Sequence, residues 1–307
     1  MKKSILASAA LLAAALLAAA FAATGAAHAE DTLKKIKDSG SITMGVRESS
    51  GALAFTLGDG KYTGFHYDVC QHIIADIQKQ LGMGKIDVKY QPVTSQNRIP
   101  LVQNGTVDLE CGSTTNNATR QKDVSFAPTL YVEEVRIATK ANSGITSIAT
   151  LNGKTVATTT GTTSVQLLRK NKRAAGMDFK ELNGKDHSDS FLLLESGRAD
   201  AFVMDGQILA GLIAKSKSPA DYKIVGEVLS VEPIAIMYRK DDPAFRKAVD
   251  DSVRNIAKSG EAAKLYDKWF MQAIPPSNTK VGLPASDATK AAWANPNDKP
   301  AEEYLDK

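Results

Sequence analysis

The stretch VCQHIIADIQKQLGMGKIDVKYQ, Val69 to Gln91, holds two hydrophobic periods in succession. Val69, Ile73, Ile77 and Leu81 recur at every fourth position and Gly82 follows, the pattern of a helix closed by a glycine. Ile86, Val88 and Tyr90 then alternate with Asp87, Lys89 and Gln91, the pattern of a strand with one buried face. Outward from here the switching continues. A short helix is expected near Leu101, strands at Val107 to Cys111 and Thr155 to Thr159, and a helix near Leu167. A helix from Ser190 to Glu195, a strand at Ala199 to Met204 and long helical patterns after Pro243 follow. Strand and helix alternating in this way predict an α/β protein with mostly parallel sheets.

The chain also echoes itself. Shifted by 92 positions, Ile99, Leu101, Val102, Gly105 and Asp108 fall on Phe191, Leu193, Leu194, Gly197 and Asp200. In both places a helix ends at a glycine and a strand with an early Asp follows, as two lobes of like topology would produce. Two extended segments, 134–140 and 231–240, flank the second copy and have the look of crossings between lobes, which would make a hinge. The polar, Pro-interrupted tail from Pro275 is expected to wrap the first lobe.

At the other end Lys2 and Lys3 precede an uncharged run of Ala and Leu that closes on Ala27-His28-Ala29, the small-x-small pattern cut by a signal peptidase. The expectation is a leader over 1–29; a transmembrane anchor is the alternative, disfavoured by the cleavage site and the lack of a stop-transfer pattern. No cysteine follows the run, so a lipid-anchored start is not expected. Loss of the two lysines takes the formal charge from +4 to +2, too little for a nucleic-acid surface. Cys70 and Cys111 would reach an oxidising compartment, where they are either a disulfide or two buried thiols.

Signatures of catalysis are missing. Asn152-Gly153-Lys154-Thr155 resembles the end of a phosphate loop, but Ile148 stands where its leading glycine belongs. Gly82 and Gly84 precede a strand instead of following one, the wrong order for a dinucleotide fingerprint. There is no G-x-S-x-G, Ser-x-x-Lys or H-E-x-x-H. Beyond the leader only His66, His72 and His187 remain, too scattered for a usual metal cluster.

Three arginines stand out instead, each at a strand end or loop beside Ser, Thr or Asn: Arg47, Arg98 and Arg120. A guanidinium fork matches a carboxylate bidentately, and three of them would suit a dianion. Taken singly, each reads as a surface ion pair before it reads as a ligand group. Thr160-Gly161-Thr162-Thr163-Ser164 lies between a strand and a helix, either as an anion site or as ordinary capping. Asp205 ends a β-rich stretch, where it could hold an ammonium group or cap the next helix.

With these residues in view, the sequence resembles the periplasmic glutamate/aspartate-binding proteins of bacterial ABC importers, among the type II amino-acid-binding proteins. The resemblance rests on Arg47-Glu48-Ser49-Ser50, on Thr94-Ser95-Gln96-Asn97-Arg98-Ile99-Pro100-Leu101, and on Asn104-Gly105-Thr106 through Glu110-Cys111-Gly112-Ser113-Thr114-Thr115-Asn116-Asn117. Gly161-Thr162-Thr163-Ser164, Lys185-Asp186-His187, Leu194-Glu195-Ser196-Gly197-Arg198-Ala199 and Asp267-Lys268-Trp269-Phe270 extend it down the chain. Gln166 and Cys70 depart from the family pattern without touching the ligand charges.

The resemblance implies a two-lobed type II periplasmic binding protein fold. Each lobe would be a mostly parallel sheet flanked by helices, with 30–136 and 234–307 forming one lobe and 137–233 the other, joined by two hinge strands. It implies that Arg120, Ser113, Thr115 and Thr163 hold a ligand α-carboxylate, Asp205 its ammonium, and Arg47, Arg98 and His187 the side-chain carboxylate. The implied protein is a periplasmic monomer without cofactor or metal that closes on its ligand and is then recognised by an ABC permease in the inner membrane. A cyclic-acid dehydratase on the same fold, or a ligand-sensing domain, are the rival readings. The first would need a general acid or base beyond His187 and Asp205, the second a transmembrane helix.

Overall fold

The structure, a computed structural model, describes residues 31–304; the expected leader lies outside them. Helix α1 (Thr32–Ser39) runs into β1 (Ser41–Val46), followed by an antiparallel flap of β2 (Ser49–Ser50), β3 (Ala54–Gly58) and β4 (Lys61–Thr63). Then come α2 (Phe65–Gln80), β5 (Asp87–Pro92), α3 (Arg98–Gln103), β6 (Leu109–Glu110) and β7 (Val124–Phe126). The long β8 (Tyr131–Lys140) opens a second unit: β9 (Thr155–Thr159), α4 (Thr163–Ala174), β10 (Lys180–Gly184), α5 (His187–Glu195), β11 (Ala201–Asp205), α6 (Gly206–Lys215) and β12 (Tyr222–Ile234). The chain returns through β13 (Met237–Arg239), α7 (Pro243–Lys258) and α8 (Glu261–Tyr266), and finishes with a small ribbon, β14 (Ala273–Ile274) and β15 (Thr279–Lys280), and α9 (Asp287–Ala294).

Two five-stranded sheets result. The first has the order β5-β1-β6-β13-β7 and the second β10-β9-β11-β8-β12. In each, three successive strands are parallel with the first in the middle, and the remaining pairs are antiparallel. This is the type II architecture expected, with sheets that are mixed instead of mostly parallel, because β13 in the first and β8 in the second run antiparallel to both of their neighbours. The 92-residue echo has a physical basis: Asp108 accepts the Thr43 N–H at 2.8 Å and Asp200 accepts the Thr155 N–H at 2.8 Å. Each carboxylate thus pins the start of the strand beside its own in the corresponding place of its sheet.

Amphipathic helices cover both faces of each sheet. On α2, Phe65, Val69, Ile73 and Ile77 are fully buried in a core that also takes in Val249 and Val253 of α7 and Phe270. The periodicity that predicted this helix is therefore the stripe it buries. Cys70 and Cys111 form a disulfide that ties α2 to the end of β6. The second sheet separates two smaller clusters, around Val156 and Leu168 on one face and Phe202 and Ile208 on the other.

The sheets are joined by a two-stranded ribbon in which Tyr131 pairs with Ile234 and Val135 with Ser230, after which β12 bulges between Val225 and Ser230. The tail lies on the first sheet's side: Trp293 Nε1 donates to Leu130 O at 2.7 Å and Asn116 Nδ2 to Asp298 O at 2.9 Å. Among the described residues no helix is long and apolar enough to cross a membrane.

Candidate functional site

Six parallel strands, three from each sheet, point their C-terminal ends at a common cleft. Beyond β1 stands Arg47, beyond β5 Ser95 and Arg98, and beyond β6 Ser113 and Thr115. From the second sheet, β9 delivers Thr163, β10 delivers Asp186 and His187, and β11 ends on Asp205. Open α/β sheets place ligands at this edge because the loops there are free of the sheet's hydrogen bonding and helix N-termini converge on it.

On one flank Arg47 is fully buried. Its Nη2 donates to Ser95 Oγ at 3.1 Å, to Asp186 Oδ1 at 2.8 Å and to His187 Nε2 at 3.1 Å. An arginine only donates, so Nε2 accepts and the His187 proton sits on Nδ1, donating to Thr159 Oγ1 at 3.0 Å. Burial and Arg47 push His187 down to about 3, so the ring is neutral. In this form the ring accepts from Arg47 and adds no positive charge to the cleft. Arg98, 2 % exposed, stands next to Arg120, Glu110 and Arg47, and burial followed by Arg120 pushes it down to about 9, still charged at neutral pH. The Nε and Nη1 atoms of both Arg47 and Arg98 are buried without a protein partner.

On the other flank Arg120 Nη1 donates to Thr115 O at 2.9 Å and Nη2 to Gly161 O at 3.3 Å. The hydroxyls of Thr115 and Thr163 both donate to Glu232 Oε2, at 2.6 and 2.8 Å. Ser113 Oγ donates to Ser50 Oγ at 3.0 Å. Asp205 is buried, and burial with the neighbouring Glu232 raises it to about 7. It occupies the N-cap position of α6 but makes no capping bond, and neither does Thr162 ahead of α4. The capping alternatives that the sequence left open are therefore not taken up, and Ser164 Oγ is likewise buried without a partner.

The two lobes meet across this cleft. Besides the Arg47–Asp186 ion pair, Ser49 Oγ donates to Asp186 Oδ2 at 2.6 Å and the Ser188 N–H to Ser49 Oγ at 3.2 Å. Gly161, at φ +81°, lies so close that a Cβ there would come within 2.7 Å of the Gln96 backbone. The described conformation is closed.

All eight residues singled out from sequence lie around this cleft, but four acids that shape it were not anticipated: Glu110, Glu133, Asp186 and Glu232. Asp186 stood in a block already noticed, beside His187. Glu232 and Glu133 sit on the hinge strands, where a polar residue within an apolar run was the available signal. Glu133, 2 % exposed and raised well above the carboxylate range by burial and Asp205, accepts the Glu134 N–H at 2.9 Å. Three guanidiniums, a buried acid and the unpartnered Ser164 hydroxyl can fix a small zwitterion with more than one anionic group, the Thr115, Thr163 and Ser113 hydroxyls being engaged with Glu232 and Ser50. His187 is neutral and engaged at both nitrogens, by Arg47 and by Thr159.

The chain is 46 % identical over 271 residues to the glutamate/aspartate import solute-binding protein of Escherichia coli (strain K12), covering 88 % of this chain and 90 % of that one. It is 44 % identical over 274 residues, 89 % and 90 % of the two chains, to the L-glutamate/L-aspartate-binding protein of Pseudomonas aeruginosa. Among solved structures, an ancestral arginine-binding protein bound to arginine matches with a TM-score of 0.66 at 30 % identity, over 75 % of this chain and 98 % of that one. These relatives are binding proteins and not enzymes, which removes the dehydratase reading. Residues 42–272 match the bacterial extracellular solute-binding proteins, family 3, and the chain belongs to that family.

Proposed function

We propose that this protein captures L-glutamate and L-aspartate in the periplasm and hands them to an ABC permease for uptake. One observation carries the reading: four guanidinium nitrogens, Nε and Nη1 of Arg47 and of Arg98, are buried without partners at one end of the cleft. Leaving such donors unpaired is costly, and a ligand side-chain carboxylate is an anionic acceptor able to take hydrogen bonds from both guanidiniums. Arg120, Ser113, Thr115 and Thr163 then serve the α-carboxylate, and Asp205 the ammonium. His187 contributes by fixing Arg47.

The lobes are 30–136 with 234–307, and 137–233, and the molecule works as a monomer after loss of the leader 1–29. The ligand docks on the three arginines and the second lobe swings over it on the β8–β12 ribbon. Desolvation on closing strengthens each correct ion pair and penalises a ligand that leaves one charge unmatched. The similarity to two glutamate/aspartate-binding proteins over nearly their whole length supports the reading. Isothermal titration calorimetry of the stripped protein with L-glutamate, L-aspartate, L-glutamine and L-arginine tests it. One-to-one binding of the two acidic amino acids alone is expected; binding of glutamine or arginine, or of none of the four, would refute it.

A further inference from the structure

Outside the ring of ligand-facing groups, one buried polar side chain bridges the lobes: Gln207, fully buried in the first turn of α6. Its Oε1 accepts the Ala52 N–H at 3.0 Å, and its Nε2 donates to Ser50 O at 3.2 Å. Both partners are backbone groups of the flap turn on the opposite lobe, between β2 and β3. A side-chain amide paired in this way mimics one rung of a β-ladder.

The flap is shaped to receive it. Gly51, between the two partners, has φ +59°, a region natural to glycine, and a Cβ there would sit 2.1 Å from Gln207 Oε1. From the other side Gly211, one turn further along α6, packs so that its own Cβ would stand 3.5 Å from Gly51 Cα. Gly51, Gln207 and Gly211 thus form a socket across the lobe boundary. The socket starts two residues after Asp205, and the Gln207 backbone N–H is anchored on Glu133 Oε1 of the hinge strand at 3.4 Å.

We infer that Gln207 is a closure latch, a positioning residue that touches no ligand atom but holds the flap against α6 once the lobes have met. The inference rests on the binding reading above. Asp205 and Gln207 share one strand–helix junction, so a ligand ammonium that fixes Asp205 also fixes the start of α6 and presents the amide to the flap. Both hydrogen bonds cross the lobes, so they exist only in the closed form and act on ligand escape, not on capture.

Stopped-flow kinetics of L-glutamate with the full mature chain tests this through Gln207→Ala and Gly51→Ala, one variant from each lobe. Either variant is expected to raise koff by on the order of 10- to 100-fold, as loss of two hydrogen bonds implies, and to leave kon within about twofold. The ligand-free melting temperature should not move in Gln207→Ala, because no bond within a lobe is lost, and should fall slightly in Gly51→Ala, where alanine strains the flap at φ +59°. The double variant should be no worse than the worse single one, since both remove the same contact. An unchanged koff in Gln207→Ala, or additive effects, overturns the latch; if that variant does not fold, Gly51→Ala decides by the same criterion. Failure of the unaltered protein to bind L-glutamate would instead strike at the binding reading.

Discussion

Arg98 and Asp205 are the two residues whose surroundings most directly predict behaviour. Arg98 is buried among like charges with two free donors, so the shape of its head group matters as much as its charge. Arg98→Lys keeps the cation but loses the fork. L-glutamate affinity should fall by about 2–4 kcal/mol, read by calorimetry, while far-UV circular dichroism stays unchanged. Asp205 sits at about 7 in the closed cleft, above the ordinary carboxylate range. A group held up in this way binds its proton more tightly than an exposed carboxyl, and pairing with a ligand ammonium opposes that. Binding starts from the open form, where water reaches the carboxyl and Asp205 is already ionised near neutral pH, so affinity should stay level from about pH 6 to 8. Calorimetric titrations across that range check this, and Asp205→Asn should remove most of the affinity.

At the scale of elements, the Cys70–Cys111 bond joins the core helix α2 to the strand whose continuation, Gly112 to Thr115, lines the cleft. It spans 41 residues, and closing a loop of that length in the unfolded chain is worth roughly 4 kcal/mol in the chain-entropy model. The Cys70→Ala/Cys111→Ala pair should lose about 2–4 kcal/mol in urea unfolding, because both sulfurs are buried. The position of the strand end is also held by other contacts, since Thr114 Oγ1 donates to Glu110 Oε2 at 2.6 Å and the Cys111 N–H to Gly45 O at 3.0 Å. L-glutamate affinity in the double variant should therefore change by less than about fivefold, about 1 kcal/mol.

For the whole molecule the expectation concerns shape. On the proposed function, a ligand with two carboxylates completes the contacts between the lobes and one with a single carboxylate does not. Small-angle X-ray scattering should show the radius of gyration fall when L-glutamate is added and stay constant with L-glutamine. A protein that remained equally extended with saturating L-glutamate would have no hinge mechanism. Among the described residues the only covalent links between the sheets are the crossings through β8 and β12, so each lobe can keep its own core while the pair moves.

The order of elements was written in the sequence because each helix and strand here buries one face, and burial imposes its period on the residues. Val69, Ile73 and Ile77 line α2 as their spacing required, and Asp108 and Asp200 perform the same task in both sheets as the echo suggested. The arginines were legible for a similar reason, being strong charges at places where strands end. What the sequence left open needed distances between parts far apart in the chain. Whether Cys70 and Cys111 meet is decided by how α2 packs on the first sheet, and that Glu232 joins Thr115 to Thr163, that Asp186 faces Arg47 and that Gln207 enters the flap are facts about two lobes approaching each other. Local sequence carries the period of a buried face, but not the partner that a polar group finds 100 residues away, since that partner is chosen by tertiary packing.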